Sequence, residues 1–409
     1  MNIICDKTLL SAAIDGVSKA VTLRSTIPVL EGILLKAEGF QLTLTGYDLE
    51  MGIVTTIEAN VKEPGEIVLN AKLLSSMVSR MPSGQITIQS ADNGKTTIQS
   101  GVAQFEIQSM SATDFPELPN TGAEETLTIQ TGVLRDIIDR TLYAVSQDER
   151  KPAHTGELFE ILPDKMTVVA LDGYRLAIVE RPIKAVKDIR IIVPSKTMNE
   201  VSHLLANDDE ELVHICANRR YVVFMTAGYT IMSRLIEGEF LNYHNVIPDG
   251  SRTRVTLDTK EFIETIERAS LIITERLKNP LRISFTAGKV VVRCQTNLGR
   301  VVDEFNAQCE GDDVEIGFNN RYLLDALRYS KCEKLRLEIN ALRGDGIPIC
   351  SFEGGYYYAA TAEELERTIR QLRSRIKKIA FAERGLSSAL PDYVDTGQLS
   401  LPLDGGDVP

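Results

Sequence analysis

The chain has 409 residues, with 45 lysines and arginines against 57 aspartates and glutamates, and a formal net charge of −12. That length exceeds what one hydrophobic core usually serves, so two or three domains are expected. A composition of 43% hydrophobic and 25% charged residues is that of an ordinary globular protein, and no run of about 18 apolar residues is present to span a membrane. The opening MNIICDKTLLSAAIDG carries Asp6 and Lys7 before any apolar stretch long enough for a secretory leader, so a cytoplasmic location is expected. An acidic average argues against nucleic acid unless the lysines and arginines are gathered on one surface.

In chain order, LLSAAIDGV (9–17) is the first helical pattern, with Leu10 and Ile14 on an i, i+4 face. PVLEGILL (28–35) leads into FQLTLTGYDLEMGIVTTIEA (40–59), whose period of two predicts an antiparallel hairpin. IVLNAKLLSSM (67–77) runs a short apolar strand through Asn70 into a second helix bearing Lys72. ITIQSADNGKTTIQSG (86–101) is a hairpin around Asn93-Gly94. Its Gly-Lys-Thr is no phosphate loop, because Gln89 stands where that motif needs glycine.

The same order then recurs. VLRDIIDRT (133–141) places Leu134 and Ile138 on a helix, PAHTGELF (152–159) repeats the Pro and Gly of 28–35, and IIVPSKTMNEV (191–201) runs a strand into a helix bearing Lys196. EFIETIERA (261–269), KVVVRCQTNLGRVVDEFNAQ (289–308) and EIGFNNRYLLDAL (315–327) form a third set, with Phe262 and Ile266 on its first helix and Arg321 on its second. Lys72, Lys196 and Arg321 are 124 and 125 residues apart, and prolines 28, 152 and 280 mark one place in each copy. The chain is therefore read as α+β, three tandem domains with two helices packed on antiparallel sheet in each. The expected bounds are 1–122, 123–250 and 251–361, then an amphipathic helix over 362–385 and a flexible tail over 386–409.

No catalytic constellation is found. Asp172 and Arg175 in LDGYRLAIV have no nucleophile, histidine pair or Gly-rich loop beside them, and the four histidines lack metal spacing, so no catalytic, metal or cofactor residue is expected. Six cysteines at 5, 216, 294, 309, 332 and 350 form no CxxC pair and read as buried, reduced thiols. Basic residues, by contrast, sit on or beside all six helical patterns: Lys7, Lys19, Lys72 and Arg80, then Arg135, Arg140 and Lys196, then Arg268, Arg321, Arg328 and Lys331.

SATDFPELP (111–119), AVSQDERKPAHTGELFEI (144–161), ALDGYRLA (170–177) and EIGFNNRYLLDAL resemble the bacterial DNA polymerase III beta subunit, the replicative sliding clamp, and the likeness runs from residue 1 to about 358. The resemblance implies a non-enzymatic processivity factor: two three-domain chains closed head to tail around duplex DNA, helices lining the hole and sheets forming the wall. Cations confined to the hole would reconcile DNA binding with an acidic surface, through phosphate contacts blind to sequence. It further implies DNA-facing Arg24, Lys72, Arg80, Lys196 and Arg321, and a homodimer interface of Phe105 and Ile107 against Leu271 and Ile272. A partner pocket is implied at His154, Leu171, Gly173, Tyr174, Arg175, Leu176, Val246 and Tyr322, where DNA polymerases and repair proteins dock QLxLF-like peptides. An ATP-dependent clamp loader is implied as well.

The tail repeats the language of those ligands: Gln398, Leu399, Ser400, Leu401, Pro402 and Leu403 read QLSLPL, so the tail is expected to regulate the chain's own pocket. Ala359, Ala360 and Thr361 depart from the family's apolar last strand, as do Leu241 from its proline and Asn245 from a frequent arginine. The alternative is a clamp-derived adaptor or decoy that binds other clamps through its tail without encircling DNA.

Overall fold

Each α-helix among the described residues starts at the end of a strand. In the computed structural model, β1 (Asn2–Asp6) runs into α1 (Lys7–Val17), β6 (Gly65–Asn70) into α2 (Ala71–Arg80) and β10 (Glu124–Gln130) into α3 (Thr131–Thr141). Likewise β14 (Ile189–Pro194) enters α4 (Ser195–Leu204), β18 (Thr253–Asp258) enters α5 (Thr259–Ser270) and β23 (Val314–Phe318) enters α6 (Asn320–Ser330). The strand-to-helix switch is set by caps: Asp6, Asn70, Asp258 and Asn319 each accept a first-turn backbone N–H, an exchange worth about 1 kcal/mol apiece. The structure describes residues 1–22, 24–91, 93–122, 124–247, 252–273, 281–339, 349–352 and 355–358. Pro280, Ala359, Ala360, Thr361, the helix expected over 362–385 and the QLSLPL tail lie outside the described residues.

The threefold repeat is present in the element order. Between its two helices the first repeat places β2 (Gly32–Glu38), β3 (Gln41–Tyr47), β4 (Met51–Glu58) and β5 (Asn60–Glu63), and after them β7 (Gln85–Ser90), β8 (Lys95–Ser100) and β9 (Ala103–Gln108). The second has β11 (Gly156–Ile161), β12 (Lys165–Leu171) and β13 (Leu176–Pro182), then β15 (Leu212–Ala217), β16 (Tyr221–Thr226) and β17 (Tyr229–Arg234). The third has β19 (Leu281–Thr286), β20 (Lys289–Thr296), β21 (Gly299–Asn306) and β22 (Gln308–Gly311), then β24 (Lys334–Ile339). A separate antiparallel hairpin joins β25 (Ile349–Phe352) to β26 (Gly355–Tyr358). Within each repeat the strands divide between two sheets, so the helices cover a split sheet rather than one continuous layer.

One joint crosses repeats. β17 pairs antiparallel with β4, from Tyr229 opposite Thr55 to Ser233 opposite Met51, and fuses two sheets into an eight-stranded one ordered β10-β15-β16-β17-β4-β3-β2-β6. The Tyr229 hydroxyl donates to the Ala12 carbonyl at 3.0 Å, and its ring rests on Gly16, where a Cβ would lie 2.4 Å from the ring. A single apolar core runs through the first two repeats, including Leu10, Ile14, Leu74, Leu134, Ile138 and Phe224. A second core, with Phe262, Ile266, Leu281, Phe285 and Leu324, serves the third repeat. The helical pairs Leu10/Ile14, Leu134/Ile138 and Phe262/Ile266 are all at most 1% exposed, each side chain contributing roughly 1.5–3 kcal/mol by burial.

The cysteines need a correction. Cys5 and Cys294 are buried and free, but Cys216 and Cys309 are half-buried and Cys332 is exposed, because it lies beyond the end of α6, next to Lys331 at φ 51°, where no helix face covers it.

Candidate nucleic-acid interface and peptide cleft

The basic residues of the helices divide into two groups. Lys72 and Arg80 on α2, Arg24 after α1 and Arg321 on α6 are all exposed. Lys196 on α4 is exposed as well, but its ammonium is paired with Asp48, whose side chain is only 6% exposed. Arg135 pairs with Asp209, Arg140 with Asp136, Arg268 with Asp303 at 2.7 Å, Arg328 with Glu267 at 2.6 Å and Lys331 with Asp139 at 2.7 Å. Lys7 donates to the Met81 carbonyl at 2.5 Å, capping the C-terminal end of α2.

Asp48 was not singled out in the sequence, yet the repeat itself points to it, 124 residues before Asp172. Both head the same tight loop. Asp48 Oδ1 accepts from the N–H groups of Glu50 and Met51, and Asp172 Oδ1 from those of Tyr174 and Arg175. The second loop residue takes positive φ in both, 76° at Leu49 and 86° at Gly173, a conformation glycine adopts freely and leucine does not.

Of the residues expected in the partner pocket, His154, Leu171, Gly173, Tyr174, Arg175, Leu176 and Tyr322 gather around this second loop. Leu171 and Leu176 pair across the β12–β13 hairpin, and Leu171 is packed with Phe240, Tyr243 and Ile192. His154, in the 3-10 turn Pro152–His154, sets its ring edge against Phe240 at 5.7 Å; burial, with help from Lys151, holds its pKa below the ordinary value. Tyr174 stacks on Tyr322 of α6 with centroids 5.8 Å apart. Val246 ends the 3-10 turn Tyr243–Val246. Leu241 and Asn245, the two departures, are both exposed.

Arg175 ties this cleft together. Its guanidinium donates to Asp172 at 2.9 Å, to Asp325 on α6 at 2.6 Å and to the Tyr143 carbonyl at 2.6 Å, and lies over the rings of Tyr322 and Tyr143 at 4.6 and 5.2 Å. Burial opposes its charge, and Asp325 and Asp172 overcome that, leaving its pKa above the ordinary value. A second stack, Tyr143 on Tyr329 at 5.0 Å, and the bond from Arg140 to the Ser330 carbonyl complete the contact between the second and third repeats. A cavity of about 350 Å³ lies alongside, between β13, Tyr143 and the α6 residues Ala326 and Tyr329. Sequence reasoning missed Asp325, Tyr143 and Tyr329: nothing local marks Asp325 as facing a loop 150 residues earlier.

The residues expected at the dimer interface do not meet one another within the chain. Phe105, 40% exposed, and Ile107 lie on β9, the terminal strand of its sheet. Leu271, 82% exposed, and Ile272 follow α5. Next to that helix, β21 is also a terminal strand, with Val302 52% exposed and Leu298 67% exposed before it.

Among the described residues no group of three or more His, Cys, Asp and Glu is placed to hold a metal, and no helix is long and apolar enough to cross a membrane. The chain matches the DNA polymerase III beta subunit family in all three of its parts: N-terminal domain over residues 1–119, central domain over 128–242 and C-terminal domain over 244–342. It is 32% identical to the beta sliding clamp of Halalkalibacterium halodurans over 353 residues, covering 82% of this chain and 92% of that protein. It is 30% identical to the Bacillus subtilis beta sliding clamp over 350 residues, with the same coverage. The crystal structure of the DNA polymerase sliding clamp from B. subtilis superposes with a TM-score of 0.80 at 30% identity, over 83% of this chain and 93% of that one. That of the DNA polymerase III subunit beta from Pseudomonas aeruginosa gives 0.78 at 28%, with the same coverage. Three matched domains in order and two relatives at 30% identity or more settle the family: the chain belongs to the DNA polymerase III beta subunits, the beta sliding clamps.

Proposed function

We propose that two copies of this sliding clamp close head to tail around duplex DNA and tether polymerases and repair proteins to it, without chemistry of their own. The observation that carries this is the β17–β4 joint, because each chain holds the two halves of a second such joint. The two-residue turns 101–102 and 227–228 align Ala103 with Tyr229, hence Phe105 with Ile231 and Glu106 with Met232. The pairs Gln41–Glu58 and Lys289–Asn306 align Ile53 with Val301 and Gly52 with Arg300. Carried over from Ile231–Ile53 and Met232–Gly52, the register sets Phe105 opposite Val301 of the second copy and Glu106 opposite its Arg300.

The fit holds beyond the strands. Ten residues past the caps Asp6 and Asp258, Gly16 is matched by Arg268. Inside the chain a small residue on the helix receives the large Tyr229; between copies the large Arg268 would cover the small Ala103. The cleft of Leu171, Tyr174, Arg175 and Tyr322 joins an apolar floor to aromatic walls, the form of a site for a short apolar peptide. The QLSLPL tail is chemically such a peptide, and tethering raises its local concentration toward the millimolar range if its linker spans the distance. An ATP-dependent loader opening the ring belongs to the same reading.

Light scattering should give twice 45.3 kDa, and the protein should be retained on circular plasmid and lost when it is linearised. A monomer that leaves both DNAs equally would favour the adaptor reading. Changing Gln398 and Leu401 to alanine should tighten binding of an added QLxLF peptide; unchanged affinity removes the tail from the pocket.

A further inference from the structure

The helices that would line the hole are not equally charged. In the first repeat α1, its 3-10 extension Ser18–Ala20 and α2 carry four cations, Lys7, Lys19, Lys72 and Arg80, against one acid, Asp15. In the second, α3 and α4 set Arg135, Arg140 and Lys196 against Asp136, Asp139 and Glu200. In the third, the lysine and three arginines of α5 and α6 meet Glu261, Glu264, Glu267 and Asp325. The formal charges are thus +3, 0 and 0 by these same residues.

Geometry sharpens the division. Arg135, Arg140, Lys196, Arg268 and Arg328 are each engaged by a carboxylate of the same chain. Lys19, Arg24 and Lys72 are exposed and, among the described residues, form no ion pair. The contrast is clearest at one repeat position. Lys72, Lys196 and Arg321 each stand two residues past the N-cap of their helix: Asn70, Pro194 and Asn319. Lys196 is neutralised by Asp48 at the head of the β3–β4 loop. Between β20 and β21 the matching loop is headed by Thr296, which accepts from the Leu298 N–H at 3.1 Å just as Asp48 does from Glu50. In a head-to-tail pair Lys72 faces that loop of the second copy, and a threonine leaves its charge uncancelled.

We infer that contact with DNA phosphates is concentrated in the first repeat, on Lys19, Arg24, Lys72 and Arg80, while Arg135, Arg140, Lys196, Arg268 and Arg328 of the second and third repeats fasten helices and domains to one another. This rests on the encirclement reading. It makes Lys196 a fastener of the first two repeats, and gives the ring one gripping patch per copy. Few free charges keep the grip weak and salt-sensitive, which suits a protein held by topology.

The test is the salt slope of binding to a labelled linear duplex, whose open ends admit a closed ring, with plasmid retention measured alongside. Lys19→Gln with Lys72→Gln should lower the slope by about 2 per copy. Asp48→Asn with Lys196→Gln, and Glu267→Gln with Arg328→Gln, should leave the slope unchanged, the first of these pairs lowering the thermal midpoint. Equal loss of slope in all three variants overturns the division while leaving encirclement intact, provided each still sediments as the unaltered protein does. Loss of plasmid retention by the unaltered protein overturns encirclement and this inference with it.

Discussion

Glu157 is a carboxyl in a place built for a hydrocarbon. Gly32 pairs with Asn70 and Gly156 with Pro194, and Leu281 pairs with Phe318, the residue before Asn319, so Ile33, Glu157 and Leu281 are one position in three repeats. All three are fully buried. The strand register thereby overturns the expected match of Pro280 with Pro28 and Pro152, because Leu281 directly follows its proline whereas Ile33 and Glu157 stand five residues after theirs. Oε1 of Glu157 lies 2.5 Å from Thr141 Oγ1, which is also 2.8 Å from the Ile137 carbonyl, while Oε2 has no partner. The threonine has one hydrogen to give, and when it goes to Ile137 the glutamate must supply its own. Burial accordingly pushes the Glu157 pKa up from 4.5 to about 8.

Folded protein then holds a proton that unfolded protein releases. Stability falls as pH rises from about 4.5 to about 8, by about 1.4 kcal/mol per pH unit, and levels off above. At pH 7 the loss relative to pH 4.5 is roughly 3 kcal/mol. Glu157→Met should recover most of it, raising the thermal midpoint at pH 7.5 by roughly 5 °C or more for a unit of this size, and should flatten the pH dependence of unfolding by one proton. Urea unfolding from pH 5 to 8.5, followed by tyrosine fluorescence, measures both. Parallel pH curves for the two proteins, or a methionine variant less stable at pH 8, would refute the reasoning.

Charge reversal tests the proposed register: Glu106→Arg alone should split the dimer, and Arg300→Glu in the same chain should restore it, as read by sedimentation; failure of the second change to rescue would place the strands in another register. Arg175→Ala should cost on the order of 3 kcal/mol, because Asp325 and Asp172 are left without their shared cation, and should weaken a QLxLF peptide. Arg175→Lys should recover only part of either, since an ammonium cannot reproduce three bonds in one plane; full recovery by lysine, seen by anisotropy and chemical unfolding, would count against the fork.

The repeat was legible because it rests on local chemistry. Apolar residues four apart on Leu10/Ile14 and their copies mark buried helix faces, and Asn70 or Asn319 before a cation marks a strand ending in a cap. The basic residues were legible as positions but not as charges. Whether Lys196 meets solvent or Asp48 depends on a loop 148 residues away, and no periodicity within the helix carries that. The same limit hid Asp325: its helix shows an acid with no local partner, and only the packing of α6 against the β12–β13 loop makes it the partner of Arg175.

The strand joint between β17 and β4 also separates two meanings of the word domain. By repetition the first unit ends near residue 122, but the hydrogen-bonded ladder and the apolar core both continue across that boundary. Residues 1–122 expressed alone would leave β4 with its edge N–H and C=O groups between Met51 and Thr55 unpaired, the kind of edge that recruits other chains and aggregates. Cooperative unfolding should therefore report the first two repeats as one transition and the third as another. What evolution copied three times is smaller than what melts at once.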